Sequence, residues 1–492
     1  MYRIKSAILF FLCFLGISVY SQTQYYVSNL AGDTANISLG NGSNAGYRDG
    51  IANQSLFNTP AGLAIDPTGN YLYVADVQNN IIRKISLLFN SVTTIAGDTS
   101  DIKKGLDSNI GYVNATNPFA AKFSNPWGIC VDKTGNVYVA DTYNNVIRKI
   151  AVSGQVSTYA GQDSAGTTFI GYADGPDSLA KFSSPLSLAI DTAGNIYVTD
   201  YGNNAIREIS ASTHMVITVA GQGPDSASYT NGPIEYAQFY GLYGIALGNG
   251  GAIFVSQSAY AVNAIRSVYH DTVTTYSGFD TAAIGINFLQ ESIVPNGYQN
   301  GLNSSIVGYP IITGALYNDP TGMAFDTAGN LLIADEYNNV IRMVNAKDSI
   351  VSTFAGNKTV SMPGYLNGPD SVAEFLNPMG IAADKKGNFY VADLGNNVIR
   401  KISTQNPSGI SPVKPPAYTL SVYPNPCTGR LNIISSFNGN ASLLDVTGRV
   451  VWTNNDFKSP YILSTSDISP GIYFLRITSS SITEITKIEV LK

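Results

Sequence analysis

Short apolar runs separated by polar turn residues follow one another along most of the chain. In one representative stretch the runs occupy residues 128–131, 137–140 and 146–150. An Asp-x-x-Gly-Asn sequence separates the first two runs. It favours a tight reversal because Asp can bond its own backbone and Gly readily adopts a positive φ. The second run is rich in β-branched and aromatic residues, which are typical of strands. The pattern therefore predicts three short strands joined by turns.

This three-strand pattern occurs six times, and each copy opens with an aromatic residue that we expect to pack between neighbouring copies. The copies begin at Phe57, Phe123, Phe182, Phe239, Tyr317 and Phe375. Repetition on this scale is typical of architectures in which one supersecondary unit is stacked many times.

A fourth strand is predicted after every copy except the last. The five segments lie at residues 92–97, 156–161, 216–221, 273–278 and 351–356. The sixth copy runs instead into a linker-like stretch, and a matching segment, YVSNLAG, occurs at residues 26–32. A ring has no open edge if its last unit borrows a strand from the other end of the chain. We therefore predict an all-β, six-bladed β-propeller closed by an N-terminal strand.

The repeated motif resembles the NHL repeat. It reads Pro-x-Gly-Ile-x-x-Asp, then Gly-Asn-x-Tyr-Val-Ala-Asp, then Asn-Asn-x-Ile-Arg, and it extends over roughly residues 25–403. The resemblance implies a β-propeller of a kind used mostly to bind proteins, RNA or other ligands. A minority of related propellers are enzymes, among them an amidating lyase and calcium-dependent lactonases.

The last part of the chain lacks the repeat and contains TLSVYPNPCTGRLNI, LLDVTGRVVW and GIYFLRI. Alternating apolar residues between Asn-Pro and Gly turns predict a small β-sandwich. The order of these motifs, with a terminal lysine, resembles the sorting domain of type IX (Por) secretion. The resemblance implies that residues 418–492 engage the type IX export machinery, which leads to surface attachment or release.

The N-terminus has the pattern of a signal peptide. Arg3 and Lys5 precede an apolar run at residues 7–19, which is too short to span a bilayer comfortably. We therefore expect a signal peptide at 1–21, the propeller at 22–403, a linker at 404–417 and the sorting domain at 418–492. No transmembrane segment is expected, and the mature protein should be secreted or attached to the outer surface.

Charge and composition narrow the chemistry. A formal net charge of −6 without a basic run does not suit a phosphate backbone, so we expect no nucleic-acid partner. Two histidines, His214 and His270, cannot form a three-histidine zinc site. Both are expected in hairpins on the face opposite the Asn-Asn loops, so no Ser-His-Asp constellation emerges. Cys130 and Cys427 fall in different predicted domains, so a disulfide framework is not expected.

An aspartate that ends the second strand and an arginine on the third recur in every copy except the fourth, where Gln257 replaces the aspartate and Arg266 remains. The repeated pairs are Asp76 with Arg83, Asp141 with Arg148, Asp200 with Arg207, Asp335 with Arg342, and Asp393 with Arg400. A ring of carboxylates could bind metal. We favour a hydrogen-bonded ion pair that fixes each blade, because a catalytic site does not need five copies.

The loops between blades are long and share a second pattern. It occurs as GYRDG at 46–50, GYADG at 171–175, YTNG at 229–232, GYQNG at 297–301 and GYLNG at 364–368. Long loops on a rigid scaffold are where function concentrates, although a repeated pattern also indicates a structural role.

The variable positions of the repeat are the better candidates for a ligand site. The residue between Pro and Gly should line the mouth of the central channel, and it is Ala61, Trp127, Leu186, Tyr243, Thr321 or Met379. The variable residues of the Asn-Asn loops include Tyr143, Tyr201, Glu336 and Tyr337, with Tyr260 in the degenerate fourth copy. Aromatic and polar groups at a concave mouth suit a sugar, a peptide or a small ligand.

These observations favour a non-enzymatic, monomeric binding or interaction protein whose protein, peptide or glycan ligand lies on the propeller face. The alternative is a calcium-dependent hydrolase or lactonase that uses the central channel. We assign no catalytic residue, metal ligand or cofactor. A calcium site built from Asp, Asn and carbonyl oxygens stays open, since such ligands have no fixed spacing.

Overall fold

The structure is a computed structural model. It describes residues 24–35, 44–100, 102, 109–164, 167–259, 262–278, 300–302, 315–357, 363–404, 420–435, 438–445, 449–479 and 483–491. The predicted signal peptide lies outside the described residues. The described part of the chain has no helix that is long and apolar enough to cross a membrane.

Six four-stranded antiparallel sheets, the blades, form the larger part of the molecule, so the predicted all-β propeller architecture is confirmed. We number the blades in chain order and call their strands inner, second, third and outer. Blade 1 contains Pro60–Ile65, Tyr71–Asp76, Ile81–Ser86 and Ser91–Ala96. Blade 2 contains Pro126–Val131, Val137–Asp141, Val146–Ile150 and Val156–Ala160. Blade 3 contains Pro185–Ile190, Ile196–Asp200, Ala205–Ile209 and Met215–Ala220.

The other three blades include the irregular one and the one that closes the ring. Blade 4 contains Leu242–Leu247, Ile253–Ala259, Val262–Tyr269 and Thr272–Gly278. Blade 5 contains Pro320–Phe325, Leu331–Asp335, Val340–Val344 and Ile350–Ala355. Blade 6 contains Pro378–Ala383, Phe389–Asp393, Val398–Ser403 and, as its outer strand, Tyr26–Ala31 from the N-terminus.

The N-terminal strand closes the ring as the missing sixth outer strand predicts. Tyr26 pairs with Ser403 and Asn29 pairs with Arg400 in an antiparallel ladder. The inner strands of successive blades contact one another, and the inner strand of blade 6 contacts that of blade 1. The described residues therefore form a continuous ring around a central channel.

In five blades a two-residue segment of the interblade loop pairs with the outer strand as a short additional strand. These segments are Gly50–Ile51, Gly175–Pro176, Gly232–Pro233, Gly301–Leu302 and Gly368–Pro369. In blade 2 the equivalent contact is an isolated bridge between Ala115 and Val156. A separate hairpin joins Asp163–Ser164 to Thr167–Thr168. These described parts of the interblade loops thus pair with the outer strands.

One-turn 3₁₀ helices fill several turns of the propeller. Five of them form the Asn-Asn loops, and these are Val77–Asn79, Thr142–Asn144, Tyr201–Asn203, Glu336–Asn338 and Leu394–Asn396. The others are Ala52–Gln54, Pro118–Ala120, Pro224–Ser226 and Asn249–Gly251. Asn249–Gly251 occupies the turn of blade 4, where Gly248 stands in place of the repeated aspartate.

The apolar core lies between adjacent blades. Phe57, for example, packs in one cluster with Leu72 and Val74 of its own blade and with Tyr390 and Ile399 of blade 6. The aromatic residues that open the repeats are fully buried, as predicted. Because each cluster draws on two blades, no blade buries its faces without its neighbours.

The C-terminal segment forms two sheets, as the predicted β-sandwich requires. A three-stranded sheet contains Leu420–Tyr423, Arg430–Ser435 and Tyr461–Ser464. A four-stranded sheet contains Gly439–Asp445, Val450–Phe457, Gly471–Thr478 and Thr483–Val490. Side chains of both sheets, including Leu431 and Leu475, share one buried cluster that also contains Cys427.

Candidate functional site

Each blade buries one arginine completely, and five of these arginines form the predicted ion pair. In blade 2 the Nη1 of Arg148 lies 2.8 Å from Oδ2 of Asp141, and both side chains are fully buried. Burial raises the pKa of the Asp141 carboxyl, while Arg148 and backbone donors oppose that rise. The Asp–Arg pairs are thus formed inside the blades, where they cross-link the second and third strands.

The same arginines bind the loops that carry the Gly-Tyr pattern. In blade 3 the Nη2 of Arg207 donates to Oδ1 of Asp174 at 2.6 Å and to the carbonyl of Ala173. Its guanidinium lies 5.1 Å from the centroid of Tyr172 and 5.2 Å from that of Phe182. The repeated loop pattern therefore holds a cation between two aromatic rings, which is a structural role.

Blade 2 has a copy of this loop that the sequence comparison missed. The Arg148 guanidinium lies 4.8 Å from the Tyr112 centroid, and its Nη2 donates to Oδ1 of Asn114 at 2.8 Å. Residues 111–115 read GYVNA, so the final glycine of the pattern is absent there.

The Asn-Asn pairs join loops within a blade and join each blade to the next. In blade 1 the first asparagine, Asn79, donates to Oδ2 of Asp76 at 2.9 Å and to the carbonyl of Gly46 at 2.7 Å. The second, Asn80, has a left-handed backbone with φ 52°, and its Oδ1 accepts from the N–H of Asn125 in blade 2. These residues build the loops and tie the blades together.

Blade 4 departs from this arrangement. Gln257 takes the place of the aspartate, and its Oε1 accepts from Nη1 of Arg266 at 2.9 Å. The second and third strands run on as a longer hairpin, Ile253–Ala259 with Val262–Tyr269, where other blades have a 3₁₀ helix. Asn263 on that hairpin accepts from the N–H of Asp319, so the link to the next blade is kept.

The six residues predicted to ring the channel mouth do meet there. They line a central cavity of about 80 Å³ and are Ala61, Trp127, Leu186, Tyr243, Thr321 and Met379. The inner strands approach so closely that a Cβ on Gly62 would lie 2.1 Å from the carbonyl oxygen of Trp127, which explains the glycine of Pro-x-Gly. A cavity of this size holds water molecules, whereas sites for small organic ligands usually measure about 300–1,000 Å³.

A larger cavity of about 600 Å³ lies beside the channel on the face that carries the Asn-Asn loops. We call that face the loop face and this cavity the three-blade pocket. Blade 3 supplies Tyr201, Gly202 and Asn204, blade 4 supplies Tyr240, Gly241, Tyr243, Ser258 and Asn263, and blade 5 supplies Asn318, Asp319 and Tyr337. Its volume falls within the range of small-molecule sites.

Tyrosine rings form corners of the pocket. Tyr201 and Tyr243 meet edge to face, with ring centroids 5.4 Å apart and planes inclined by 77°. Burial raises the pKa of the Tyr243 hydroxyl, and the charges of Glu336 and Asp319 add to that rise. The Tyr243 hydroxyl is therefore a neutral donor and acceptor near neutral pH.

Blade 5 contributes two acidic residues to this part of the loop face, Asp319 and Glu336. One carboxylate oxygen of Asp319 accepts from the Ser258 hydroxyl. Glu336, a predicted site residue, does not line this pocket, and its Oε1 accepts from Nδ2 of Asn377 at 3.4 Å. Burial, with the charge of Asp319 as the next cause, raises the pKa of Glu336 to about 7.

The candidate ligand-binding residues thus divide among several places. Tyr201, Tyr243 and Tyr337 line the three-blade pocket, while Trp127 and Met379 line only the narrow channel. Tyr143 is 66 % exposed on the blade 2 loop and lines neither cavity. Tyr260 lies outside the described residues. His214 and His270 lie in hairpins between third and outer strands and line neither cavity.

Sequence reasoning did not name eight of the eleven residues that line the pocket as ligand candidates. These are Gly202, Asn204, Tyr240, Gly241, Ser258, Asn263, Asn318 and Asp319. Aligning the six repeats would have singled out Asp319. The equivalent residue, directly before the inner strand, is uncharged in the other five copies.

In the residues that the structure describes, no three His, Cys, Asp or Glu side chains are grouped so that they could share a metal ion. A calcium ion on the loop face would therefore need amide or carbonyl oxygens among its ligands.

Comparison with known protein families identifies two parts of the chain. Residues 51–210 match the family described as Teneurin NHL domain, and residues 421–491 match the family described as secretion system C-terminal sorting domain.

Curated relatives are similar to this chain over only part of their own length. NHL repeat-containing protein 2 of Bos taurus is 24 % identical over 367 residues, which cover 74 % of this chain and 41 % of the relative. SUPPRESSOR OF QUENCHING 1 of Arabidopsis thaliana is 27 % identical over 277 residues, covering 45 % and 26 %. Teneurin-4 of Homo sapiens is 32 % identical over 161 residues, covering 30 % and 6 %. The chain therefore spans less than half the length of these relatives.

Solved structures agree on the fold. An auxiliary nutrient binding protein from Bacteroides thetaiotaomicron superposes with a TM-score of 0.53 at 15 % identity, covering 78 % of this chain and 77 % of that one. A protein of unknown function from the same organism gives a TM-score of 0.51 at 18 % identity, covering 77 % and 76 %. At these identities the likeness concerns the fold alone. The repeats, the family matches and the fold agree that this chain is an NHL-repeat β-propeller with a C-terminal sorting domain of the type IX route, exported to the cell surface or the medium.

Proposed function

We propose that this exported propeller is a binding protein and that its ligand, a small molecule or the side chain of a peptide, occupies the three-blade pocket. One observation supports this assignment above the others. The charged residues that recur in the blades, such as Asp141 and Arg148, form ion pairs with one another inside the scaffold. The pocket is lined mainly by residues at which the blades differ from one another.

The shape and chemistry of the pocket suit a ligand of modest size. Its volume of about 600 Å³ is several times that of the channel cavity. Tyrosine rings offer apolar faces, while hydroxyl, amide and carboxylate groups offer hydrogen bonds that orient a bound molecule.

The surrounding frame keeps these groups in place without a ligand. Asn204 of blade 3 accepts from the N–H of Gly241 at 3.3 Å, and Asn263 of blade 4 accepts from the N–H of Asp319 at 3.0 Å. The three blades that build the pocket are therefore linked by side chains that themselves line it, and a rigid site binds with little ordering cost.

Two tyrosines at equivalent loop positions provide a matched test. Tyr337 lines the pocket and is 55 % exposed, whereas Tyr143 occupies the same position of the blade 2 loop and is 66 % exposed away from it. We would screen the mature full-length chain on glycan and peptide arrays and repeat each positive result with Tyr337→Ala and Tyr143→Ala. A Trp127→Ala variant would report on the channel wall.

We expect ligand binding that weakens at least about tenfold in Tyr337→Ala and is unchanged in Tyr143→Ala. Equal binding by both variants would overturn the assignment to this pocket. Each ligand would also be recovered and weighed by mass spectrometry, and we expect an unchanged mass. A modified ligand whose turnover stops on chelation of calcium would favour a calcium-dependent hydrolase instead.

A further inference from the structure

In the described part of the chain, the lining of the three-blade pocket contains a negatively charged residue and no positively charged one. It presents four tyrosine rings and the carboxylate of Asp319. Among the described residues that line it, none is lysine, arginine or histidine. An anionic ligand would therefore meet a carboxylate and no compensating cation, whereas a positively charged ligand would meet a complementary surface.

The charge of Asp319 is specific to its blade. The residue before the first residue of the inner strand is left-handed in all six blades, with φ 53° at Asp319. Its counterparts are Thr59, Asn125, Ser184, Gly241 and Asn377. Since uncharged residues fill the same backbone geometry five times, the fold does not require a carboxylate there, and its presence calls for another reason.

Asp319 is held firmly at the wall of the pocket. Its N–H donates to Oδ1 of Asn263 at 3.0 Å, and its carbonyl accepts from the N–H of Glu336 at 3.1 Å. One carboxylate oxygen accepts from the Ser258 hydroxyl. Ser258 and Asn263 both come from the extended hairpin of blade 4, so the irregular blade positions the charge of its neighbour.

The tyrosines suit the same kind of ligand. A ring face attracts a cation electrostatically, by about 0.5–2 kcal/mol per ring depending on solvent exclusion. Tyr201 and Tyr243 are inclined by 77° and form two walls of a corner, while Tyr240 and Tyr337 line other parts of the pocket. Several ring faces around one carboxylate are the arrangement that recognises quaternary and methylated ammonium groups.

We infer that the ligand of the three-blade pocket carries an organic cation, a quaternary or methylated ammonium group, which binds between the tyrosine rings and pairs with Asp319. This inference rests on the proposed function, since it names the chemical class of the ligand for the same pocket.

The test compares cations with neutral molecules of the same shape. Choline and acetylcholine would be titrated into the full-length mature chain by calorimetry, beside 3,3-dimethylbutanol and 3,3-dimethylbutyl acetate, in which carbon replaces the nitrogen. We expect each cation to bind at least about tenfold more tightly than its neutral counterpart. Asp319→Asn should reduce the affinity for the cation about tenfold and leave the neutral counterpart unchanged.

The chosen substitution is compatible with the fold, because asparagine occupies the equivalent left-handed position at Asn125 and Asn377. Equal binding of a cation and its neutral counterpart, or no binding of either cation at about 50 mM, would overturn the inference. Binding of a neutral sugar or peptide that depends on Tyr337 would overturn the cationic class and leave the proposed binding function standing. Cation binding unaffected by Asp319→Asn and Tyr337→Ala would remove both assignments from this pocket.

Discussion

Blade 2 and blade 4 both bury an arginine completely, but they surround it with different partners. Arg148 of blade 2 donates to the buried carboxylate of Asp141, whereas Arg266 of blade 4 donates to the amide oxygen of Gln257 at the equivalent position. Each arginine also donates to an asparagine of its interblade loop, Asn114 or Asn231. Both guanidinium groups lie between two aromatic rings. The position of the arginine therefore survives a change in the chemistry of its partner, provided that the hydrogen-bond geometry is kept.

The two blades also differ in the structure that connects their second and third strands. In blade 2 a one-turn 3₁₀ helix follows Asp141 directly and ends the second strand at the loop face. In blade 4 the two strands continue beyond Gln257 and present Ser258 and Asn263 to the pocket. Because the remaining blades keep the ring closed, one blade can have an extended hairpin at the pocket in place of the 3₁₀ loop.

The largest effect should come from removing the partner of a buried arginine. Asp141→Ala leaves the Arg148 charge buried without its carboxylate, and we expect it to lower the free energy of unfolding by about 3–5 kcal/mol. Gln257→Ala removes a neutral acceptor from Arg266 and should cost about 1.5–3 kcal/mol. Denaturant titration of both variants measures the difference, with Asp141→Asn as the control of similar shape. Equal losses would contradict the view that blade 4 has a different electrostatic balance.

A smaller contrast is expected at the links between blades. Asn145 has φ 57° and accepts from the N–H of Ser184, so Asn145→Ala loses a hydrogen bond and strains a left-handed backbone. We expect a loss of about 2–3 kcal/mol. Asn263 lies within an extended strand, so Asn263→Ala should cost only about 1 kcal/mol.

Asn145→Gly separates the two causes, since glycine accepts the positive φ while the side-chain hydrogen bond is lost. Its stability should fall between those of the wild type and Asn145→Ala. If the glycine variant is as unstable as the alanine variant in thermal and denaturant unfolding, backbone strain does not contribute at this position.

The acidic loop of blade 5 should make stability depend on pH. The pKa of Glu336 is raised from 4.5 to about 7, mainly by burial, so between these values the folded protein retains a proton that the unfolded chain loses. Stability therefore falls as pH rises through this window. Glu336→Gln removes the effect, and at pH 8 it should be more stable than the wild type by about 1–2 kcal/mol, allowing for partial solvent screening.

At about pH 4 both proteins carry an uncharged group at this position, so their free energies of unfolding should agree within about 0.5 kcal/mol. A stability difference between the wild type and Glu336→Gln that is the same at pH 4 and pH 8 would show that packing, and not ionisation of Glu336, is responsible.

The smallest effects on stability are expected for the paired tyrosines. Tyr143 and Tyr337 are both exposed, so alanine at either position should change the free energy of unfolding by no more than about 0.5 kcal/mol. This agreement is needed for the binding comparison, and differential scanning calorimetry checks it. A large loss for Tyr337→Ala alone would mean that its side chain supports the blade 5 loop.

Much of the scaffold could be predicted from the sequence because the chain contains six copies of the same repeat. Repetition identified the Asp–Arg pairs, and the absence of an outer strand after residue 403 located its replacement at Tyr26–Ala31. The variable residue of Pro-x-Gly was predicted to reach the channel, since all six inner strands start there, and the structure places these residues at one cavity.

The pocket could be predicted only in part from the sequence, because its lining comes from three different blades. Tyr201, Tyr243 and Tyr337 were identified as variable residues of the repeat, but Asp319, which stands directly before a repeated proline, was not singled out. The extension of blade 4 beyond Gln257 separates Ser258 from Asn263 in sequence, and strand pairing brings both to the same wall. Likewise, Tyr112 contacts an arginine 36 residues further along the chain (148 − 112), a contact that local patterns do not encode.

The pairing of Tyr26 with Ser403 also sets the order in which the propeller can be finished during synthesis. The strand Tyr26–Ala31 precedes blade 1 in the sequence but belongs to blade 6, so its partner strand is translated only after the other five blades. Joining ends this far apart in sequence carries a loop-closure entropy cost and slows the final step of folding. A chain truncated before blade 6 therefore lacks the partner of Tyr26–Ala31 and cannot close the ring.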